Sequence, residues 1–230
     1  MQKKESRVEN IFSTQSTDSF KGLNLRLISQ LDSLVAFLSL AHHEVYEVVS
    51  ENYATWYRDE RQSTRPRGFQ EYSQQVAHSA FLLGYSYAEA FICDVIRLVY
   101  SCRRDLLPSD KTLRFDELLP LREYEDVVQK MIDRTVSRLN SLEEKTEHLN
   151  KGLSLGISEP AQLSDAHTAR NALVHNAGRV NRTPSHESHW RAGDTVRLSV
   201  DDVHDFGTAV RAFAEDLCIR AQKMCVHVPK

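Results

Sequence analysis

Ser199-Val200-Asp201-Asp202-Val203-His204-Asp205-Phe206 opens a run that continues Gly207-Thr208-Ala209-Val210-Arg211-Ala212-Phe213-Ala214-Glu215-Asp216-Leu217-Cys218-Ile219-Arg220-Ala221-Gln222-Lys223-Met224. Val203, Phe206, Val210, Phe213, Leu217, Ala221 and Met224 recur at steps of three and four, the spacing that stacks side chains along one face of an α-helix. The start is equally well marked. Ser199 stands as N-cap with Asp202 three residues on, and Leu198 and Val203 occupy the two positions of a hydrophobic staple.

The same period runs back along the chain. Leu27, Leu31, Leu34, Leu38, Ala41, Val45 and Val48 predict one long helix, and Leu82, Tyr85, Ala88, Ile92, Val95 and Val99 a second. Val128, Ile132, Thr135, Leu139, Leu142, Thr146 and Leu149 predict a third. Only Thr195-Val196-Arg197-Leu198 looks briefly extended. Connections fall at 61–69, 105–120, 150–160 and 181–195, where Pro and Gly gather. The expected fold is therefore all-α: an antiparallel bundle of four to six helices burying these seams against one another. A polar, poorly ordered lead-in over 1–20 precedes one domain over 21–230.

Bulk composition bounds the function. With 41% hydrophobic and 27% charged residues over 230 positions, the chain has enough apolar side chains for a core without metal or disulfide staples. A formal net charge of −3 excludes a generally basic nucleic-acid coat, so any RNA contact must come from a local patch. Cys93, Cys102, Cys218 and Cys225 lack C-x-x-C spacing, which suits reduced thiols in a cytoplasmic protein. The N-terminus shows no apolar signal segment. The apolar stretch near 80–100 is interrupted by Glu89, Asp94 and Arg97, so no membrane association is expected.

The chemistry concentrates between Pro160 and Gly178, in Ala161-Gln162-Leu163-Ser164-Asp165-Ala166-His167-Thr168-Ala169-Arg170-Asn171-Ala172-Leu173-Val174-His175-Asn176-Ala177. Pro160 suits a first helical turn and Gly178 the left-handed position beyond the last. At about 100° per residue from Leu163, Val174 falls near 20°, Ala177 near 320°, Ala166 near 300° and Leu173 near 280°, with Arg170 in their midst near 340°. His167, Asn171 and His175 form a polar strip beside this stripe. Arg170 and His175 stand about 140° apart, so they converge only by a long reach or across an interface. A guanidinium stays charged and cannot be left unpaired in a core. Glu89, equally misplaced on the apolar face of the second helix, is its expected partner; the bland reading of both is a structural salt bridge.

Arg170-Asn171-Ala172-Leu173-Val174-His175 resembles the R-x4-6-H signature of HEPN domains (higher eukaryotes and prokaryotes nucleotide-binding), including the polar residue after the Arg. Asn176-Ala177-Gly178-Arg179-Val180-Asn181 is similar to the end of that helix in prokaryotic members, and Ser86-Tyr87-Ala88-Glu89-Ala90-Phe91 resembles the family's acidic-centred earlier helix. The likeness covers roughly 75–225. It implies a metal-independent endoribonuclease of toxin or antiviral-defence type, acting as a homodimer that brings two Arg/His motifs into one cleft. A nucleotidyltransferase-type antitoxin or another defence partner is implied as regulator.

The residue types suit that chemistry. Attack of a ribose 2′-OH on the adjacent phosphate needs a base, an acid for the leaving oxygen and a cation at phosphorus. Imidazole, with an ordinary pKa near ~6.5, serves either proton-transfer role, and a guanidinium fork matches phosphate oxygens. Arg170, His175 and Asn171 are thus the expected catalytic set, Glu89 and His167 supporting residues, and Arg179 and Arg182 phosphate contacts. Tyr85 and Tyr87 are expected to pack in or near the core.

Other motifs point away from other chemistries. No cofactor is expected, and a P-loop enzyme is disfavoured because Gly152 and Gly156 are not followed by Lys-Ser/Thr. His186-Glu187-Ser188-His189-Trp190 lacks a rigid ligand spacing and a second ligand pair, so no metal is expected. Arg58, Arg61, Arg65 and Arg67 are interleaved with acids and predict a solvated surface. The alternative function is a catalytically inactive HEPN module that binds a nucleotide or a partner protein.

Overall fold

The computed structural model describes residues 19–41, 67–108, 112–158, 161–182 and 188–226. The lead-in through residue 18, Val45, Val48, Pro160, His186 and the Arg58, Arg61 and Arg65 cluster lie outside these residues. The described chain is α-helical and, among the described residues, contains no strand beyond one isolated bridge. The helices are α1 (Ser19–Ala41), α2 (Arg67–Cys102), α3 (Phe115–Leu118), α4 (Tyr124–Val136), α5 (Leu142–Glu147), α6 (Ala161–His175) and α7 (Val200–Val226).

Helix α7 begins as its cap predicts. The Ser199 hydroxyl accepts from the Asp202 amide at 3.1 Å, and the Asp202 carboxylate accepts from the Ser199 amide at 2.7 Å, which satisfies two otherwise orphaned donors. The predicted third helix is corrected: it is broken between α4 and α5. Val128, Ile132, Thr135, Leu142, Thr146 and Leu149 are buried as the period requires. Yet Ser141 accepts from the Glu144 amide at 3.0 Å while Glu144 accepts from the Asn140 amide at 2.6 Å. These local bonds start a new helix and outcompete continuation of the old one. A π-helical turn, His148–Gly152, follows α5.

The chain divides into two compact units. The first comprises Met1–Leu27, Ala88–Glu159 and Ala212–Lys230. Its core includes Phe20, Ile92, Val95, Ile96, Val99, Ile132, Leu149 and Leu217. Its acidic and basic interruptions of α2 are all paired: Glu89 with Lys145, Asp94 with Arg26 and Arg97, and Arg97 with Asp133.

The second unit comprises Ile28–Tyr87 and Pro160–Arg211. Its core joins Leu31, Leu34 and Leu38 of α1 with Phe81 and Tyr85 of α2, Leu163, Ala166, Ala169 and Ala172 of α6, and Phe206 and Val210 of α7. Phe206 ties α7 to α2, its ring centroid 5.1 Å from Phe81 and 6.5 Å from Tyr85. Gly84 lets the chains approach this closely, because a Cβ there would lie 3.0 Å from Leu34 Cδ2.

By length and composition alone, α1 and the Ser73–Cys102 portion of α2 are long and apolar enough to cross a membrane. Half of the second segment is buried in the protein and it carries the three ion-paired residues named above, which is the pattern of a core helix.

Candidate active site

Helix α6 and the chain just beyond it build the site, entirely within the second unit. The helix ends at His175, and Ala177 and Gly178 both take left-handed backbone conformations, with φ of 49° and 81°. At Gly178 this costs little, since glycine has no Cβ to clash. The reversal sends the chain back as a short clasp: Val180 N–H donates to Asp194 O at 2.9 Å and Val196 N–H to Gly178 O at 2.8 Å, flanking the Arg179–Thr195 bridge. The extended reading of 195–198 thus holds only as a bridge.

The buried face of α6 is Leu163, Ala166, Ala169 and Ala172. The apolar stripe expected around Arg170 is corrected by this set, since Val174 is 48% exposed. Four residues spaced by three drift steadily around the helix, and three of them are alanines small enough for close packing. Arg170 therefore stands at the margin of the buried face, half-buried, with its side chain able to run along the surface.

There it reaches His175. Arg170 Nη1 lies 3.1 Å from His175 Nε2 and 3.0 Å from Asn171 Oδ1, so one guanidinium nitrogen serves two acceptors. A guanidinium only donates. His175 Nε2 is consequently an acceptor, and neutral His175 carries its proton on Nδ1. Because Asn171 Oδ1 faces the arginine, its Nδ2 faces His167 Nε2, at 3.0 Å. His167 Nδ1 in turn lies 2.9 Å from the Tyr85 hydroxyl. The Tyr85 ring also lies beneath the guanidinium, 6.0 Å from Arg170 Cζ to the ring centroid, in cation–π range.

One hydrogen-bonded line therefore connects the core to the surface: Tyr85, His167, Asn171, Arg170, His175. Three of these five residues, Arg170, Asn171 and His175, belong to the motif, and His167 is the supporting residue expected beside it. His175 ends the line exposed to solvent, with the exposed Arg179 and Arg182 just past the helix end. Neither of those arginines takes an ion-pair partner among the described residues. Asn176 accepts from Asn181 at 2.7 Å and fixes the chain between them.

One pairing is corrected. Glu89 does not pair with Arg170: its carboxylate accepts from Lys145 Nζ at 3.1 Å, and Lys145 is only 7% exposed, so the ammonium has first claim on that charge. Arg170 meets neutral acceptors instead. Tyr85 packs in the core as expected, but its part in the hydrogen-bonded line was not foreseen; its place in the apolar period gave no other signal, except that a phenol stands where phenylalanine would have packed as well.

A separate arrangement lies on the Asp165 side of α6. The Asp165 carboxylate holds both His189 Nδ1, at 2.7 Å, and the Ser188 hydroxyl. Both residues belong to the His186–Trp190 stretch. Asp165 and His189 border an open cavity of about 440 Å³ with Phe81, Trp190 and Phe206 among its walls. Among the described residues, no three His, Cys, Asp or Glu side chains converge as a metal site would require. All four cysteines are free.

A scan of protein-family models found no match to this chain, and searches of curated proteins and of solved structures found none either.

Proposed function

We propose that the protein is a metal-independent endoribonuclease of the HEPN type, serving as a toxin or in antiviral defence, with Arg170, Asn171 and His175 at its centre. The observation that carries this reading is the placement of Arg170 Nη1 between Asn171 Oδ1 and His175 Nε2 at a solvent-facing helix end. A cation for phosphate and an imidazole for proton transfer stand within one hydrogen bond of each other.

The geometry suggests how the two cooperate. In the free protein the His175 Nε2 lone pair is occupied by Arg170. A phosphate oxygen is a stronger acceptor for a guanidinium than a neutral imidazole is. When RNA binds, Arg170 turns its N–H to the phosphate, and the Nε2 lone pair becomes free to take the proton of the ribose 2′-OH. The 2′-oxygen attacks phosphorus, the P–O5′ bond breaks, and the ends are a 2′,3′-cyclic phosphate and a 5′-hydroxyl. The leaving oxygen takes its proton from an imidazolium, the protonated form of the same residue in a second copy of a symmetric homodimer, which is left neutral as the first His175 becomes protonated. Arg179 and Arg182 bind flanking phosphates. A HEPN-like antiparallel bundle, cytoplasmic location and control by a nucleotidyltransferase-type antitoxin or other defence partner belong to the same proposal.

The test is incubation of purified protein with tRNA or total RNA in EDTA, alongside Arg170→Ala and His175→Ala. Cleavage to cyclic-phosphate ends that disappears in both variants is the expected result, with single-stranded DNA left intact. If wild type cleaves no RNA, the inactive binding module takes its place.

A further inference from the structure

Tyr85 occupies a seam position of α2 and is 2% exposed, so a phenylalanine would satisfy the core equally well. Its hydroxyl is instead spent on His167 Nδ1 at 2.9 Å. What that contact does follows from the direction of each bond along the line.

Arg170 can only donate, so Asn171 must present Oδ1 to it and Nδ2 to His167. Nδ2 donates, which requires a bare Nε2 on His167. Neutral His167 then carries its proton on Nδ1, where the Tyr85 oxygen accepts it. If His167 took the other tautomer, its Nε2–H would face the Asn171 amide hydrogens, and the amide would have to turn over. Oδ1 would then leave Arg170, and Nη1 would lose one of the two acceptors that hold it beside His175.

We propose that Tyr85 is a positioning residue for the Arg170/His175 centre, its buried hydroxyl anchoring the His167 ring at Nδ1 and thereby holding Asn171 and Arg170 in place. This rests on the ribonuclease reading for its catalytic consequence, though not for the structural coupling itself. Tyr85 touches neither RNA nor the reacting atoms. It acts through His167 and Asn171, and its ring supports the guanidinium from below.

The experiment compares full-length wild type with Tyr85→Phe, which keeps the ring and its stacking on Phe206 but removes the oxygen. Long-range proton–nitrogen NMR of the histidine rings reads the tautomers directly. Wild-type His167 should give a protonated Nδ1 and bare Nε2; in Tyr85→Phe, where the ring loses the phenol oxygen at Nδ1, the His167 signals should shift, and those of His175 should shift with them. Asn171→Leu, which cuts the line nearer its end, should reproduce the His175 shift. RNA cleavage by Tyr85→Phe should lose on the order of ten- to a hundredfold in kcat with KM altered less than about twofold, as expected when only alignment is disturbed. Unchanged His167 or His175 signals in Tyr85→Phe overturn the proposal, as does an altered KM with unchanged kcat. Absence of cleavage by wild type removes the ribonuclease reading alone, since the NMR comparison still decides the coupling.

Discussion

Arg170 Nη1 reaches along the surface of α6 to lie 3.1 Å from His175 Nε2, closing about 140° of helix face within a single chain. The contact ties an always-charged donor to the one exposed imidazole at the helix end. It depends on a planar fork, because Nη1 must direct one hydrogen to His175 and the other to Asn171. Lysine carries its charge at a single, freely rotating ammonium and does not reproduce that fork. Arg170→Lys should therefore lower RNA cleavage by on the order of 10²-fold, the scale of losing one preorganised donor, with the helical circular-dichroism spectrum unchanged. Near-wild-type cleavage by this variant would show that only the positive charge matters.

Glu89 separates stability from the proposed catalysis. Its partner Lys145 is 7% exposed while Glu89 itself is 25% exposed, so removing the carboxylate strands a buried ammonium. Loss of one member of a buried pair costs about 3–5 kcal/mol, and the partial exposure of Glu89 places this case at or below the lower end. Glu89→Ala should lower the urea midpoint accordingly, and adding Lys145→Met should restore much of it. Cleavage per folded molecule should stay near wild type in Glu89→Ala. A specific loss of kcat would instead return Glu89 to the supporting role the family resemblance implied.

The contrast between Arg170 and Glu89 shows what the sequence could reveal. Helical period alone placed the core faces of α2 and α7, because amphipathic spacing is a local property of the chain, while on α6 it misplaced part of the buried face. The Arg170-to-His175 pattern likewise marked the candidate site, since two polar functions at a helix end stand out against apolar surroundings. Pairing is not local. Lys145 lies 56 residues from Glu89 and belongs to a helix whose period looked continuous through Ser141. There the Ser141–Glu144 capping signal was present and outweighed by seven well-spaced apolar positions. Tyr85 was hidden for the opposite reason: its ring obeys the period, and only its oxygen does something the period does not describe.

Gly84 provides a test of packing in the second unit. A Cβ at this position would stand 3.0 Å from Leu34 Cδ2 and 3.5 Å from Phe206 Cε1. Replacing glycine in a helix interior gains up to about 1 kcal/mol of propensity, so alanine could nearly balance a small shift of Leu34. A longer side chain cannot be accommodated by that shift. Gly84→Leu should destabilise by about 1–3 kcal/mol through overpacking, read as a lower unfolding midpoint with an unchanged denaturant slope. Unaltered stability would mean that α1, α2 and α7 can separate at this point without cost.

The pH dependence of stability should carry the mark of the Tyr100–His148 pair in the first unit. The Tyr100 hydroxyl lies 2.7 Å from His148 Nε2, and donates to it while the imidazole is neutral. Burial lowers the pKa of His148 below its ordinary 6.5 and pushes that of Tyr100 up to about 12. As pH falls through the ordinary histidine range, the unfolded chain takes up a proton that folded His148 resists, so the folded state loses stability on the acid side. His78, lowered by burial in the same way, adds to this limb. As pH rises above 10, unfolded tyrosine ionises while folded Tyr100 keeps its proton until about 12, so stability falls again. Urea midpoints measured from pH 5 to 11 should thus peak between these limits. His148→Gln should flatten part of the acid limb, leaving the contribution of His78, and Tyr100→Phe should flatten the alkaline one. An acid limb identical in wild type and His148→Gln would mean that His148 is as free to protonate in the folded protein as in the unfolded chain.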